Sequence, residues 1–173
     1  MTSKNLVKLV TAALMAALSC VATFLLPIQI PYGNGGYIHP GDAFVLLSGI
    51  ILGPVYGGLA AGIGSMLADL IVGAPQYAIA TLIIKALAAI IASITYRKIK
   101  IRPVLFAGIL GGFIVTIGYF LFDALLTGNF LSAALAGIPF NLLQNLFGII
   151  LSSLLFPLLI KVPSIKEIMN DSN

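Results

Sequence analysis

Residues 37–70, YIHPGDAFVLLSGIILGPVYGGLAAGIGSMLADL, contain the one histidine of the chain and two of its five acidic residues in an otherwise apolar run. Gly53-Pro54 interrupts the run and predicts two helices, at about 40–52 and 54–72. The first reaches only about 20 Å, which is shorter than the roughly 30 Å hydrocarbon core of a bilayer. Something besides lipid must therefore cover one of its ends, and the Pro- and Gly-rich loop 27–38 is the natural candidate.

The composition indicates an integral membrane protein. Of 173 residues, 60% are hydrophobic and 8% are charged, which is far more apolar than a soluble domain of this length requires. At about 20 residues for each span, the chain has room for roughly six spans and almost no soluble domain. Eighteen glycines allow close helix packing, and the continuous apolar runs disfavour a β-barrel. We therefore expect an all-α membrane protein with six transmembrane helices in one bundle.

Breaks in the apolar pattern divide residues 1–173 into helices of a single membrane domain. Lys4 and Lys8 precede the first apolar run and allow a cleavable signal peptide, but the run continues to Leu26 without a small-x-small cleavage pattern. A retained first helix is favoured. The predicted helices are at about 5–26, 40–52, 54–72, 75–96, 103–126 and 131–160.

The basic residues predict the orientation. Lys and Arg occur before the first predicted helix, between the fourth and fifth at 97–102, and after the sixth, whereas the loops after the first, third and fifth have none. By the positive-inside rule, both termini and the 97–102 loop are cytoplasmic.

Polar side chains within the predicted spans are functional candidates, because an uncompensated charge there costs at least about 2.5 to 3.5 kcal/mol. All of them except Lys85, which lies deeper, are predicted to lie toward the outer leaflet. We therefore expect an outward-facing pocket with His39 and Asp42 at its rim and Asp69 as a deeper wall. The candidate ligand contacts are His39, Asp42, Asp69, Tyr77, Lys85, Asn141, Gln144 and Asn145, with Asp123 close by.

Each candidate also has a purely structural interpretation. Asp42 follows Pro40-Gly41 and is suited to the first turn of a helix. Lys85 with Asp69 or Asp123 would form a buried ion pair that fixes helix register. His39 would be hydrated beside its loop, the amides would bond neighbouring helices, and tyrosines are common at a membrane interface.

Catalytic and metal-binding patterns are absent from the sequence. One His and one Cys in separate segments make no metal cluster of the usual spacing, and no ATPase or nucleophile-elbow motif occurs. We expect no cofactor and no metal. Two rivals from other classes remain: a small membrane enzyme with a metal between Asp69 and Asp123, and an autonomous transporter or channel.

Small residues form two faces suited to helix contact. The first helix carries Ala-x-x-x-Ala in two adjacent registers, and the third predicted helix carries several glycines. The residue chemistry alone does not distinguish packing of these faces within the chain from docking of another protein on them. The alanines of the first helix are Ala12, Ala13, Ala16 and Ala17.

The stretch from Gly36 to Leu70, together with APQYAIATLIIKAL at 74–87, resembles the substrate-binding S components of energy-coupling factor (ECF) vitamin transporters. The likeness is to the group assigned hydroxymethylpyrimidine or pyridoxine. It implies a subunit in the bacterial plasma membrane that captures a vitamin on the outer side. It also implies partners, namely a transmembrane coupling protein and two ATPase subunits.

The resemblance also implies roles for particular residues. The alanine motif of the first helix would contact the coupling protein, and the loop 27–38 would gate the ligand. A pyrimidine or pyridine with hydroxymethyl groups needs apolar or aromatic walls and a few directional polar groups. The candidate ligand contacts named above supply those groups, with Tyr37 or Tyr77 as a stacking surface.

Overall fold

The computed structural model describes residues 3–25, 28–29 and 37–171. Over these residues the chain forms six α-helices and one pair of two-residue strands. Five of the described helices are long and apolar enough to cross a membrane, so the predicted all-α membrane class is confirmed. The elements are α1 (Ser3–Leu25), β1 (Ile28–Gln29), β2 (Tyr37–Ile38), α2 (Asp42–Ile71), α3 (Ala78–Lys98), α4 (Pro103–Thr127), α5 (Phe130–Leu159) and α6 (Pro163–Asp171).

Helix α2 contains a reversal at Gly53, where φ is 86° and ψ is 177°. A positive φ of this kind is open to glycine at little cost, and the following Pro54 has no N–H to continue the helical bonding. A Cβ on Gly57 would overlap the carbonyl oxygen of Ser48, although these residues would be about 13 Å apart on a straight helix. The two arms of α2, 42–52 and 54–71, therefore lie side by side in opposite directions.

Both arms of α2 pack on α3, because glycines let the backbones approach closely. The first arm runs in the same direction as α3, and the second arm runs against it. The contacts that fix these directions are Asp42 with Lys85 and Gly49 with Ala89 for the first arm, and Gly62 with Leu82 and Gly58 with Ile90 for the second.

The end of the bundle that holds Lys4, the 97–102 loop and Lys161 is called the basic end below. Helix α6, which is not among the predicted helices, packs there beneath the turn at Gly53. Its apolar side chains share one buried core cluster with the end of the first arm; the members from these two elements are Ile50, Ile51, Leu52, Ile165, Ile168 and Met169.

The opposite end is called the polar end, and it holds the 72–77 and 127–130 turns and the two short strands. β1 and β2 pair antiparallel, with Ile28 opposite Ile38 and Gln29 opposite Tyr37. The predicted gating loop 27–38 is described only in these four residues; its other residues, and the Tyr37 side chain, lie outside the described part of the chain.

Candidate functional site

A buried ion pair between Lys85 and Asp42 is the centre of the candidate site. Lys85 on α3 is 0% exposed and Asp42, in the first turn of α2, is 3% exposed. The ammonium donates to Oδ1 of the carboxylate, and Nε2 of Gln144 on α5 donates to Oδ2 at 2.8 Å. Both carboxylate oxygens are thus hydrogen-bonded, and side chains of three helices meet at one point.

His39 extends this network toward α1. Its backbone N–H donates to Oε1 of Gln144 at 3.2 Å. Its Nδ1 accepts the Gly41 N–H at 3.1 Å, so the hydroxyl of Thr23, 3.0 Å from the same nitrogen, must donate to it. Burial lowers the pKa of His39 to about 4, against the attraction of Asp42, while Lys85 lowers it further. The imidazole is therefore neutral, with its proton on Nε2.

Aromatic side chains lie between this network and the polar end. The Lys85 ammonium lies 5.2 Å from the ring centroid of Tyr119, a distance at which a cation is attracted to the ring face. The Tyr119 hydroxyl is 2.8 Å from that of Thr81. Nearer the polar end, Tyr77 donates to Oδ1 of half-buried Asp123 at 2.8 Å, and its ring is 5.3 Å from that of Phe122.

Asn145 has a different environment from Gln144, its neighbour in sequence. Its Nδ2 donates to the Gly112 carbonyl and to the Thr116 hydroxyl, both at 2.7 Å. These bonds join α5 to α4, which is the structural interpretation that the sequence left open. Asn141, which is half-buried, donates within α5 to the Gly137 carbonyl at 3.0 Å.

The structure thus joins four of the predicted residues, His39, Asp42, Lys85 and Gln144, in one network. Asp69 is buried one turn beyond Ser65, whose hydroxyl is 3.3 Å from that of Ser19 on α1. That position is on the α1 side of the second arm, and α1 also carries Thr23, which contacts His39 of the network.

Two details of the sequence prediction are wrong. Lys85 pairs with Asp42, and not with Asp69 or Asp123, because the reversal at Gly53 lays the first arm alongside α3. Asp42 also lies level with Lys85, the eighth residue of α3, about 11 Å along that helix. Asp42 therefore belongs to the floor of the site and not to its rim.

Sequence reasoning missed several polar neighbours of the network. Most of them recur at helical spacing, and this signal was available in the sequence. Thr23 shares this spacing with Ser19, although its partner His39 lies beyond the end of α1. The other missed residues are Thr81, which lies four residues from both Tyr77 and Lys85, and Thr116 and Tyr119, which precede Asp123 by seven and four residues.

The alanines of α1 divide between two environments. Ala12 is buried, and the carbonyl of Ala16 lies so close to Gly64 of α2 that a Cβ there would overlap it. Ala13 and Ala17 are exposed. One Ala-x-x-x-Ala register is therefore used within the chain, and the other faces outward.

A family model for the S component of ECF-type riboflavin transporters matches residues 3–161. The chain belongs to this family. The resemblance to ECF S components seen in the sequence is confirmed, whereas the hydroxymethylpyrimidine or pyridoxine group is not. S components of this family work with a transmembrane coupling protein and ATPases.

Two individual proteins are also similar to this ECF S component. A Pyrococcus woesei protein, named only as an uncharacterized protein in a gap 3′ region, is 33% identical over 132 residues, which are 76% of this chain and 86% of the relative. The solved structure of the S component of a bacterial ECF transporter superposes with a TM-score of 0.68 at 24% identity, and the match covers 89% of this chain and 95% of that one. The second likeness supports the fold alone.

Proposed function

We propose that this chain captures a vitamin at its polar end and delivers it through an ATP-driven coupling module. The observation that carries this proposal is the buried network of Lys85, Asp42, Gln144 and His39, four polar residues from distant parts of the chain held together inside an apolar bundle. Buried ionisable groups in a membrane protein are costly and commonly mark a substrate site. The proposed role is transport and not catalysis, in line with the transporter family that the chain belongs to.

Riboflavin is the first candidate substrate, because the family is named for it. A flavin ring needs flat apolar surfaces and a few donors at its carbonyl oxygens. The rings of Tyr77, Tyr119 and Phe122 and the donors of Lys85 and Gln144 suit it. Hydroxymethylpyrimidine and pyridoxine, favoured by the sequence resemblance, are the rival substrates, since the same groups suit their smaller rings and hydroxyls.

The proposed topology has six crossings, with the two arms of α2 as the second and third. Both termini and the 97–102 loop would then be cytoplasmic, and the polar end would face outward. The charge pattern supports this orientation, because eight of the nine Lys and Arg residues lie in segments assigned to the cytoplasmic side. The membrane in question is the cell membrane, the bacterial plasma membrane in the sequence-based expectation.

The loop 27–38 is proposed to gate the ligand. Support comes from its two ends: β1 and β2 pair with each other, and the next residue, His39, is bonded through its backbone to Gln144. A change in the position of Gln144 on ligand binding would therefore reach the loop through the backbone of His39.

The outward alanine register, Ala13 and Ala17, is proposed to contact the coupling protein. Replacing both by leucine is expected to reduce copurification of the coupling protein while ligand binding is kept. Val10→Leu/Leu14→Val, on the same exposed side of α1, is the matched control, and it leaves both alanines in place. Unchanged copurification of the Ala13→Leu/Ala17→Leu variant would contradict this docking site.

The test of the function is to purify the chain and identify the small molecule that accompanies it by mass spectrometry. Riboflavin, hydroxymethylpyrimidine and pyridoxine are then titrated onto the ligand-free protein. Tight binding of one of them, with uptake into vesicles only when the coupling protein, both ATPases and ATP are present, is expected. Uptake by the chain alone would establish the autonomous transporter instead, and metal-dependent turnover would establish the enzyme.

A further inference from the structure

Two short segments at the basic end mix exposed cations with exposed apolar side chains. Residues 98–102 have the sequence KIKIR, and residues 161–166 have the sequence KVPSIK. Between the cations, Ile101 is 75% exposed and Val162 is 44% exposed. The exposed cations of the two segments are Lys98, Lys100, Arg102, Lys161 and Lys166.

The fold makes these two segments neighbours. The first follows the last turn of α3 and the second follows the last turn of α5, and these turns meet where the ring centroids of Tyr96 and Phe156 are 5.5 Å apart. Helix α4, which begins directly after the first segment, packs antiparallel to α5, since Gly108 lies against Ile149. Residues 98–102 and 161–166 therefore form one surface, called the basic corner below.

The carboxylates of the basic end do not neutralise this corner. The two that the sequence has there, Glu167 and Asp171, lie 3.9 and 3.4 Å from the ammonium of Lys4 on α1. They are four residues apart and share one face of α6, whereas Lys166 projects at least about 100° away from each of them. Among the described residues, no ion pair includes a cation of the basic corner.

An anionic lipid surface fits both features of the basic corner. Lipid phosphates attract the cations, and the boundary between headgroups and acyl chains accommodates apolar side chains that water does not. A nucleic acid would use the cations but would leave Ile101 and Val162 in water. The lipid-facing side chains of Phe106 and Leu158 continue the same surface along α4 and α5, whereas the alanines proposed to contact the coupling protein are on α1.

We propose that the basic corner is a binding surface for anionic phospholipid headgroups, in which its five cations pair with lipid phosphates while Ile101 and Val162 insert into the interface. This interaction goes beyond vitamin capture and does not depend on which vitamin is bound. The proposed orientation agrees with it, because the cytoplasmic leaflet is the one rich in anionic lipid.

The experiment uses a tryptophan as a local reporter, since the chain contains none. Ile101→Trp, in the full chain reconstituted into vesicles, is quenched by brominated phosphatidylglycerol and, separately, by brominated phosphatidylcholine. The preference for phosphatidylglycerol is expected to be at least about fivefold and to fall as salt is added. Leu125→Trp is the matched control: it is as exposed as Ile101 but lies at the polar end of α4, and it should show no preference.

Charge substitutions in the Ile101→Trp background test the cause. Lys100→Gln should lower the preference at least about twofold. Lys8→Gln removes the same charge from α1 at the same end of the bundle, outside the basic corner, and should leave the preference unchanged. An equal loss in both variants would show an effect of net charge alone and would overturn the proposed surface.

The remaining outcomes also decide the proposal. Equal quenching by the two lipids at Ile101→Trp, or no quenching by either lipid, would overturn it; protection from both lipids on addition of the coupling protein would assign the corner to that protein instead. If Ile101→Trp does not fold, Val162→Trp reports from the second segment with the same expected preference. No vitamin is present in these measurements, so their failure leaves the proposed function standing.

Discussion

The ammonium of Lys85 on α3 donates a hydrogen bond to the Asp42 carboxylate on α2, and both side chains are buried. The pair exists because Gly53 turns α2 back on itself, which lays the first arm parallel to α3. Gln144 then connects the pair to the backbone of His39. A local backbone feature thus determines which charges meet at the candidate site.

The first prediction concerns the stability of this pair. Asp42→Ala leaves a buried ammonium without its counter-charge, and we expect a loss of about 3 to 5 kcal/mol in the free energy of unfolding. Asp42→Ala/Lys85→Met removes both charges and should recover most of that loss. Thermal or denaturant unfolding in detergent measures both variants. A double variant no more stable than Asp42→Ala would contradict the idea that charge imbalance is the cause.

The second prediction concerns the hairpin of α2. Gly57→Ala places a Cβ against the Ser48 carbonyl and should destabilise the chain by about 1 to 3 kcal/mol through overpacking. Gly137→Ala is the matched control in α5, since its Cβ would meet nothing closer than Asp123 Oδ2 at 3.4 Å. The control should be neutral or up to about 1 kcal/mol more stable, because alanine favours a helix over glycine. Equal losses in the two variants would argue against close packing of the arms.

The sequence predicted the membrane class and the break at Gly53-Pro54 from composition and backbone chemistry, which are local properties. The partner of Lys85 was beyond local reasoning, because it depends on the direction of one α2 arm relative to α3. Helix α6 was missed for another reason: nine residues with a charged face resemble a solvated tail until Ile165 and Ile168 are seen packing under the turn. Six helices are predicted and six are described, but they are not the same six. Helix α2 combines two predicted helices, and α6 corresponds to none of them.

The sequence predicted which residues belong to the candidate site more fully than it predicted the role of each. Asn145 and Gln144 were equivalent in the sequence, being adjacent amides on one helix. The structure separates them, because residues one apart on a helix point about 100° apart. Gln144 points to Asp42 on α2, and Asn145 points to Thr116 on α4.

The third prediction follows from that separation. Gln144→Met removes a hydrogen bond to a charged carboxylate and the link to His39, and we expect the affinity for the vitamin to fall at least about tenfold. Asn145→Ala removes bonds between α4 and α5, so its main effect should be a lower unfolding temperature. Ligand titration and thermal unfolding of both variants test the contrast. A large loss of affinity in a stable Asn145→Ala protein would return that residue to the ligand site.

The last prediction concerns the pH dependence of stability through His39. The unfolded chain takes up a proton on this side chain near its ordinary pKa of 6.5, whereas the native chain does so only near 4. Between these values the unfolded state binds more protons, so stability falls as the pH is lowered from 6.5 toward 4, by about 3 kcal/mol at most. His39→Asn offers an acceptor near the Nδ1 position but does not titrate, and its stability should depend less on pH across that window. If the variant and the wild-type chain lose stability in parallel from pH 7 to 4.5, the neutral imidazole bonded to Gly41 and Thr23 is not the source of the pH dependence.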